Sequence, residues 1–206
     1  MADGTQLPSD LITVLPPPPN RVGKCTGGAE HHLSEGAVML AFAFYLFRTE
    51  PRLGHVAMHP DGEHGKRFPF LDRMGARGFK LTKPMGSTDY GGLYGAADGR
   101  SALINPKPGM GDVIADLGDA SFVAECKGGI INTTHPGQTS RLRSGLCEAI
   151  GQCLATPMRN GQRQFAVVPH TRTTMALAQR MQERAAAAGI EIALVDGSGE
   201  VTIVGG

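Results

Sequence analysis

The clearest patterning lies in the second half of the chain. Asp112 to Ala115 and Ser121 to Cys126 are short runs rich in β-formers, joined by Leu117-Gly118-Asp119-Ala120, and predict a β-hairpin. A loop rich in Gly and Thr, Gly128 to Gly137, follows. Over 141–155 apolar residues recur at Leu142, Leu146, Ala149, Ile150 and Leu154, a helical spacing. Gln164 to Val168 predicts a strand, Thr173 to Ala188 a helix stopped by Gly189, and Ile190 to Val195 another strand. After a turn at Asp196-Gly197, Glu200 to Val204 is placed beside it. Hairpin, helix, strand, helix and strand in this order predict an α/β fold, a mixed central sheet flanked by helices.

The first half reads less regularly. Glu30 to Phe47 predicts a helix that is apolar on nearly every face, hence centrally buried, and Pro51 ends it. Residues 54–100 combine many glycines with Pro60, Pro69 and Pro84 and are expected to be irregular with short strands. The run Pro16 to Pro19 imposes polyproline II geometry, with Gly23, Gly27 and Gly28 after it, so 1–28 is expected to be a flexible arm on a domain spanning 29–206.

Composition narrows the class. The 206 residues are 41% hydrophobic and 19% charged, unlike a disordered or coiled-coil chain. A net charge of +1 excludes a blanket polycation. Cys25, Cys126, Cys147 and Cys153 form no CxxC pair, and the residues after Met1 do not read as a secretory leader; both favour a reducing cytoplasm with free thiols. Ala37 to Phe47, the most apolar run, is shorter than the roughly 20 residues that span a bilayer, so a soluble cytoplasmic protein with no membrane partner is expected.

Neutrality overall conceals local asymmetry. Lys66, Arg67, Arg73, Arg77, Lys80 and Lys83 face only Asp72 in their segment, a local charge of +5. Between Arg141 and Arg180 six arginines face only Glu148, again +5. Such clusters suit phosphate binding, although a solvated surface reads the same way. Phe68, Phe70, Phe79, Tyr90 and Tyr94, interleaved with the first cluster, suit the core better than base stacking.

Chemistry concentrates around the hairpin. Alternation along a strand points Glu125 and Lys127 the same way at the end of an apolar run, and Asp112, starting the preceding strand, can approach Glu125 from the side. Two carboxylates and a lysine suit a hard divalent cation and a phosphate: oxygens for the metal, an ammonium to orient or help deprotonate a water or to steady growing negative charge. The bland alternatives are a cross-strand charge pair for Glu125 and Lys127, and a turn boundary for Asp112, whose place Asp116 can also take.

This arrangement resembles the PD-(D/E)xK nuclease superfamily, the restriction-endonuclease-like fold: an acid opening one strand, then Asp or Glu, any residue and Lys on the next. Asp112, Glu125 and Lys127 match, with twelve residues between the acids, and Gly111 stands where a proline often precedes the first acid. The resemblance covers 30–48 and 111–195. It implies an inward glutamine on the helix after the lysine strand, which Gln152 fits, and an acid on the first helix completing the metal site, Glu35 or alternatively Glu30. The implied activity is Mg2+-dependent hydrolysis of phosphodiester bonds in DNA, Mn2+ substituting, by a homodimer or by a component of a larger defence or repair system. Asp112, Glu125 and Glu35 would hold the metal, with Lys127 and Gln152 completing the catalytic set. Two other classes compete: a catalytically silent nucleic-acid-binding or assembly module on the same fold, and an unrelated α/β enzyme acting on a small phosphorylated substrate.

Three further features stay outside the site. His31-His32 and the group His55, His59 and His64 lack the tight pairing of a zinc centre. Cys126, between the two motif residues, is expected to face the core. Gly91-Gly92-Leu93-Tyr94-Gly95 lacks the form of a phosphate-binding loop and is expected to be a flexible loop.

Overall fold

Ser34 decides where the first long helix begins. In the computed structural model, which describes residues 9–17, 28–61 and 67–205, its hydroxyl accepts a hydrogen bond from the Ala37 N–H at 3.2 Å from an extended backbone. Helix α1 therefore runs Glu35–Thr49, and Glu30–Leu33 before it is a strand, β2, rather than the helix's first turn. The described part of the expected arm is likewise structured: Ile12–Leu15 forms β1, antiparallel to β2, because its alternating residues find a free strand edge there. Residues 1–8 and 18–27, with Cys25, lie outside the described residues, as do His64 and Lys66.

Residues 54–100 are more regular than their composition predicts. They hold β3 (His55–Met58), α2 (Phe70–Ala76), β4 (Phe79–Pro84) and β5 (Gly92–Ala96). Of the expected flexible loop at 91–95, residues 92–95 belong instead to β5, where a Cβ on Gly92, at φ +149°, would lie 2.4 Å from the Lys83 carbonyl oxygen. Glycine here serves close strand approach, which masks the alternation of an ordinary strand. Then come β6 (Ser101–Ile104), β7 (Val113–Asp116), β8 (Ser121–Cys126) and β9 (Gly129–Ile130). Helix α3 (Pro136–Ala155) starts inside the expected loop, with Pro136 in its first turn and the His135 ring accepting from the Gly137 N–H. The chain closes with β10 (Gln162–Pro169), α4 (Arg172–Ala187), β11 (Ile190–Val195) and β12 (Val201–Ile203).

Nine strands form one mixed sheet in the order β12-β11-β10-β8-β7-β3-β6-β5-β4, and β1-β2-β9 form a small second sheet. The fold is α/β, a large mixed sheet flanked by four helices among the described residues. β8, β10 and β11 are mutually parallel, and the latter two are buried on both faces. Phe165 and Val167 of β10 and Ala193 and Val195 of β11 join the core under α1; Ala166, Val168, Ile192 and Leu194 join the core under α3 and α4. α1 is buried over nearly its whole length, which its all-round apolar sequence requires. Phe68, Phe70, Phe79, Tyr90 and Tyr94 are core residues, between 0 and 5% exposed.

Among the described residues no helix is long and apolar enough to cross a membrane. Two of the clustered arginines hold the fold together. Arg77 forks onto Asp10, and Arg163 forks onto Glu191 beneath the Phe122 and Phe165 rings. Lys80 and Lys83 lie on β4, at the sheet edge five strands from β8, about 24 Å away.

Candidate active site

Register builds the site. β7 and β8 pair antiparallel with Val113 opposite Ala124, and one step outward sets Asp112 opposite Glu125. Asp112 is pinned on three sides. Its N–H donates to the Ala124 carbonyl (2.8 Å), its carbonyl accepts from the His59 N–H (2.8 Å), and its Oδ2 accepts from the Cys126 N–H (2.7 Å). Gly111 explains the departure from proline: a Cβ there would sit 2.6 Å from Val123 Cγ1. Asp116, the alternative to Asp112, caps the hairpin turn by accepting from the Gly118 N–H, at the other end of β7.

Two residues beyond Glu125, Lys127 extends the parallel pairing by donating its N–H to the Val167 carbonyl at 3.0 Å. Its side chain runs past Gly145 of α3, where an added Cβ would lie 3.4 Å from Lys127 Cβ. The ammonium stands 3.7 Å from Glu35 Oε2 and 3.4 Å from Glu148 Oε1. Glu35 reaches it because Gly128 lets the end of β8 touch the start of α1; a Cβ on Gly128 would lie 2.6 Å from the Glu35 nitrogen. Of the two candidate acids, then, Glu35 joins the group. Glu30 lies on β2 beside a separate cavity with His32 and Gln138.

The acids are electrostatically strained. Burial raises the Asp112 carboxyl to about 6; the Cys126 N–H and Lys127 oppose this, and Glu35 and Asp61 add to it. Burial again comes first in raising Glu125 to about 7, with Asp112 opposite and Glu35 nearby reinforcing it against Lys127. Burial disfavours the Lys127 ammonium, but Glu35, Asp112 and Glu148 outweigh it and hold the amine above its ordinary value. Lys127 is thus a fixed cation at neutral pH. Burial also pushes the Cys126 thiol well above its ordinary value, in keeping with its core position.

Two cavities adjoin these residues. One of about 550 Å³ is lined by Asp112, Glu125 and Gln152 together with His59, Asp61 and Arg159. The other, about 610 Å³, is lined by Glu35, Lys127 and Glu148 with Arg67, Arg141 and Ser144. A hollow of about 680 Å³ between α3 and α4 holds none of the expected site residues. Gln152 is part of the first cavity's lining, and its buried Oε1 has no hydrogen-bond partner.

His59, Asp61 and Glu148 escape sequence reasoning. The first two precede Asp112 by about fifty residues and reach it only through the β3–β7 pairing; Glu148 differs from a solvated helix acid only through Lys127. Arg67, Arg141 and Arg159 are visible in the sequence only as members of its basic segments.

Among the described residues no three His, Cys, Asp or Glu side chains are gathered closely enough to enclose a metal ion. The donor set is instead an open one: two repelling carboxylates on one cavity, with Gln152 beside them, hard oxygens of the kind that hold Mg2+ while it keeps several waters. The chain matches none of the protein-family models, curated proteins or solved structures with which it was compared.

Proposed function

We propose that this chain is a metal-dependent nuclease of the PD-(D/E)xK type, on a restriction-endonuclease-like fold, hydrolysing phosphodiester bonds in DNA. The observation that carries the reading is Asp112 facing Glu125 where β7 and β8 pair, with Lys127 two residues past Glu125 held as a cation by Glu35 and Glu148. The order of elements supports it: α1 with Glu35, the acid strand, the Glu-x-Lys strand, crossover helix α3 with Gln152, and parallel strand β10.

Asp112 and Glu125 would hold the cation, with Gln152 facing its water shell, and Mn2+ would serve in place of Mg2+. When bound, the ion supplies Lewis-acid stabilisation of phosphate oxygens and acidifies water. Hydrolysis forms a bond from water oxygen to phosphorus and breaks one to the leaving oxygen, which departs with a proton. Lys127, charged and fixed by Glu35 and Glu148, orients the attacking water and offsets charge growing on the phosphate. Glu35, the expected third ligand, has Lys127 as its ion-pair partner here, so it positions the lysine whether or not it also reaches the metal.

The test is cleavage of supercoiled, linear, single-stranded and branched DNA with Mg2+ or Mn2+. Lys127→Ala lowers the rate about 10²–10³-fold while the chain stays folded, the loss typical of one positioned stabiliser of charge, and Asp112→Ala abolishes cleavage. The alternative, a silent binding module on the same fold, draws on the engagement of Lys127 by two glutamates. Duplex binding without cleavage under either metal would select it.

A further inference from the structure

Glu125 lines the first cavity and Lys127, two residues on, lines the second, and the two linings carry opposite charge. The first sets Asp61, Asp112 and Glu125 against Arg159. In the second, both acids, Glu35 and Glu148, pair with Lys127, and Arg67 and Arg141 remain as exposed cations with no ion pair to another described residue. Thr13 and Ser144 add hydroxyls to that wall. Arginines with hydroxyls are the groups that contact phosphate and sugar. The chain segment expected to be a free arm thus lines this cavity through β1.

These groups also follow a line. Along α3, Arg141 comes first, Gly145 and Glu148 flank Lys127, Gln152 borders the acid cavity, and Arg159 stands just past the helix end. From residue 141 to 155 the helix rises about 21 Å at 1.5 Å per residue. One strand of B-form DNA advances that length along the helix axis in about six nucleotides at 3.4 Å each. A small phosphoester would occupy one cavity and leave the other cations unused.

We propose that the site takes a DNA strand laid along α3, its backbone phosphates held by Arg141 and Arg67 on one side of the Glu125–Lys127 pair and by Arg159 on the other. The identity of the scissile bond rests on the nuclease reading; the path rests on the charge and spacing of the two cavities. Base edges play no part in it, so the track binds without sequence preference.

Fluorescence anisotropy with labelled DNA of about two to twelve nucleotides, single-stranded and duplex, tests the path on the wild-type chain in EDTA. Affinity should climb with length to about six nucleotides and then flatten, and its logarithm should fall with log salt at a slope of about −2 to −3, the value for three phosphates. Arg141→Ala and Arg159→Ala should each reduce that slope by about 0.7–0.9 and weaken long strands more than dinucleotides. Arg180→Ala, in the hollow between α3 and α4 and lining neither site cavity, should change neither. Affinity independent of length, or unaltered slopes in both variants with circular dichroism confirming their fold, overturns the path. A chain that binds along the track but cleaves nothing with Mg2+ or Mn2+ keeps the path and loses the nuclease reading. One that cleaves while the variants keep the parental slope does the reverse.

Discussion

Glu125 is the residue at which fold and chemistry pull apart. Burial and the facing Asp112 hold its carboxyl near 7, so the metal-free fold favours the protonated acid while metal binding needs the anion. Replacing the carboxylate by its neutral isostere should therefore separate the two demands. Glu125→Gln is expected to raise the melting temperature of the metal-free chain at about pH 8 by a few degrees and to abolish cleavage. Thermal melts in EDTA decide this: a variant that melts lower than the parent would mean the carboxylate does not strain the fold. The motif itself, Asp112 with Glu125 and Lys127, is readable in the sequence, because strand alternation dictates which residues share a face. What Lys127 touches is not, since Glu35 and Glu148 come from helices on opposite faces of the sheet.

At the scale of elements, glycines set the distances. Gly128 passes the start of α1 so closely that an added Cβ would press on backbone, 2.6 Å from both the Glu35 nitrogen and the Leu33 carbonyl oxygen. Gly128→Ala is expected to cost about 1–3 kcal/mol, the range for overpacking, and to lower the melting temperature accordingly. Gly151, exposed within α3 with nothing within 4 Å of an added Cβ, provides the contrast. Gly151→Ala should stabilise by up to about 1 kcal/mol through helix propensity. Denaturant unfolding of the two variants measures the opposition of sign; equal effects would refute it. The same glycines explain why 54–100 is hard to read. Periodicity reports side chains, and Gly92, which β5 needs for close approach to β4, has none.

For the whole molecule, the paired acids couple stability to pH and metal. Both carboxyls titrate higher folded than unfolded, so their contribution is fully present below the ordinary carboxylate value near 4 and is lost as pH rises through about 6 and about 7. His55, which burial lowers, acts with the opposite sign below its ordinary value, so melting temperature against pH alone mixes the two. The readout is the shift on adding millimolar Mn2+. It should be several degrees larger at about pH 8 than at about pH 5, because protons compete for the same oxygens at the lower pH. An equal shift at both values would place the cation elsewhere.

The strands and helices from residue 111 onward, apart from β9 and the start of α3, the all-round burial of α1 and the acid–acid–lysine motif are properties of the sequence alone. Each follows from local periodicity or from alternation within one hairpin, which neighbouring residues express by themselves. Tertiary structure decided the rest. Ser34 capping moved the start of α1 to Glu35, pairing with β2 turned 12–15 into a strand, and sheet order carried Lys80 and Lys83 away while Arg67, Arg141 and Arg159 came to the cavities. These outcomes depend on which distant segments meet, and hydrophobic patterning specifies the face a residue presents but not the partner it finds there.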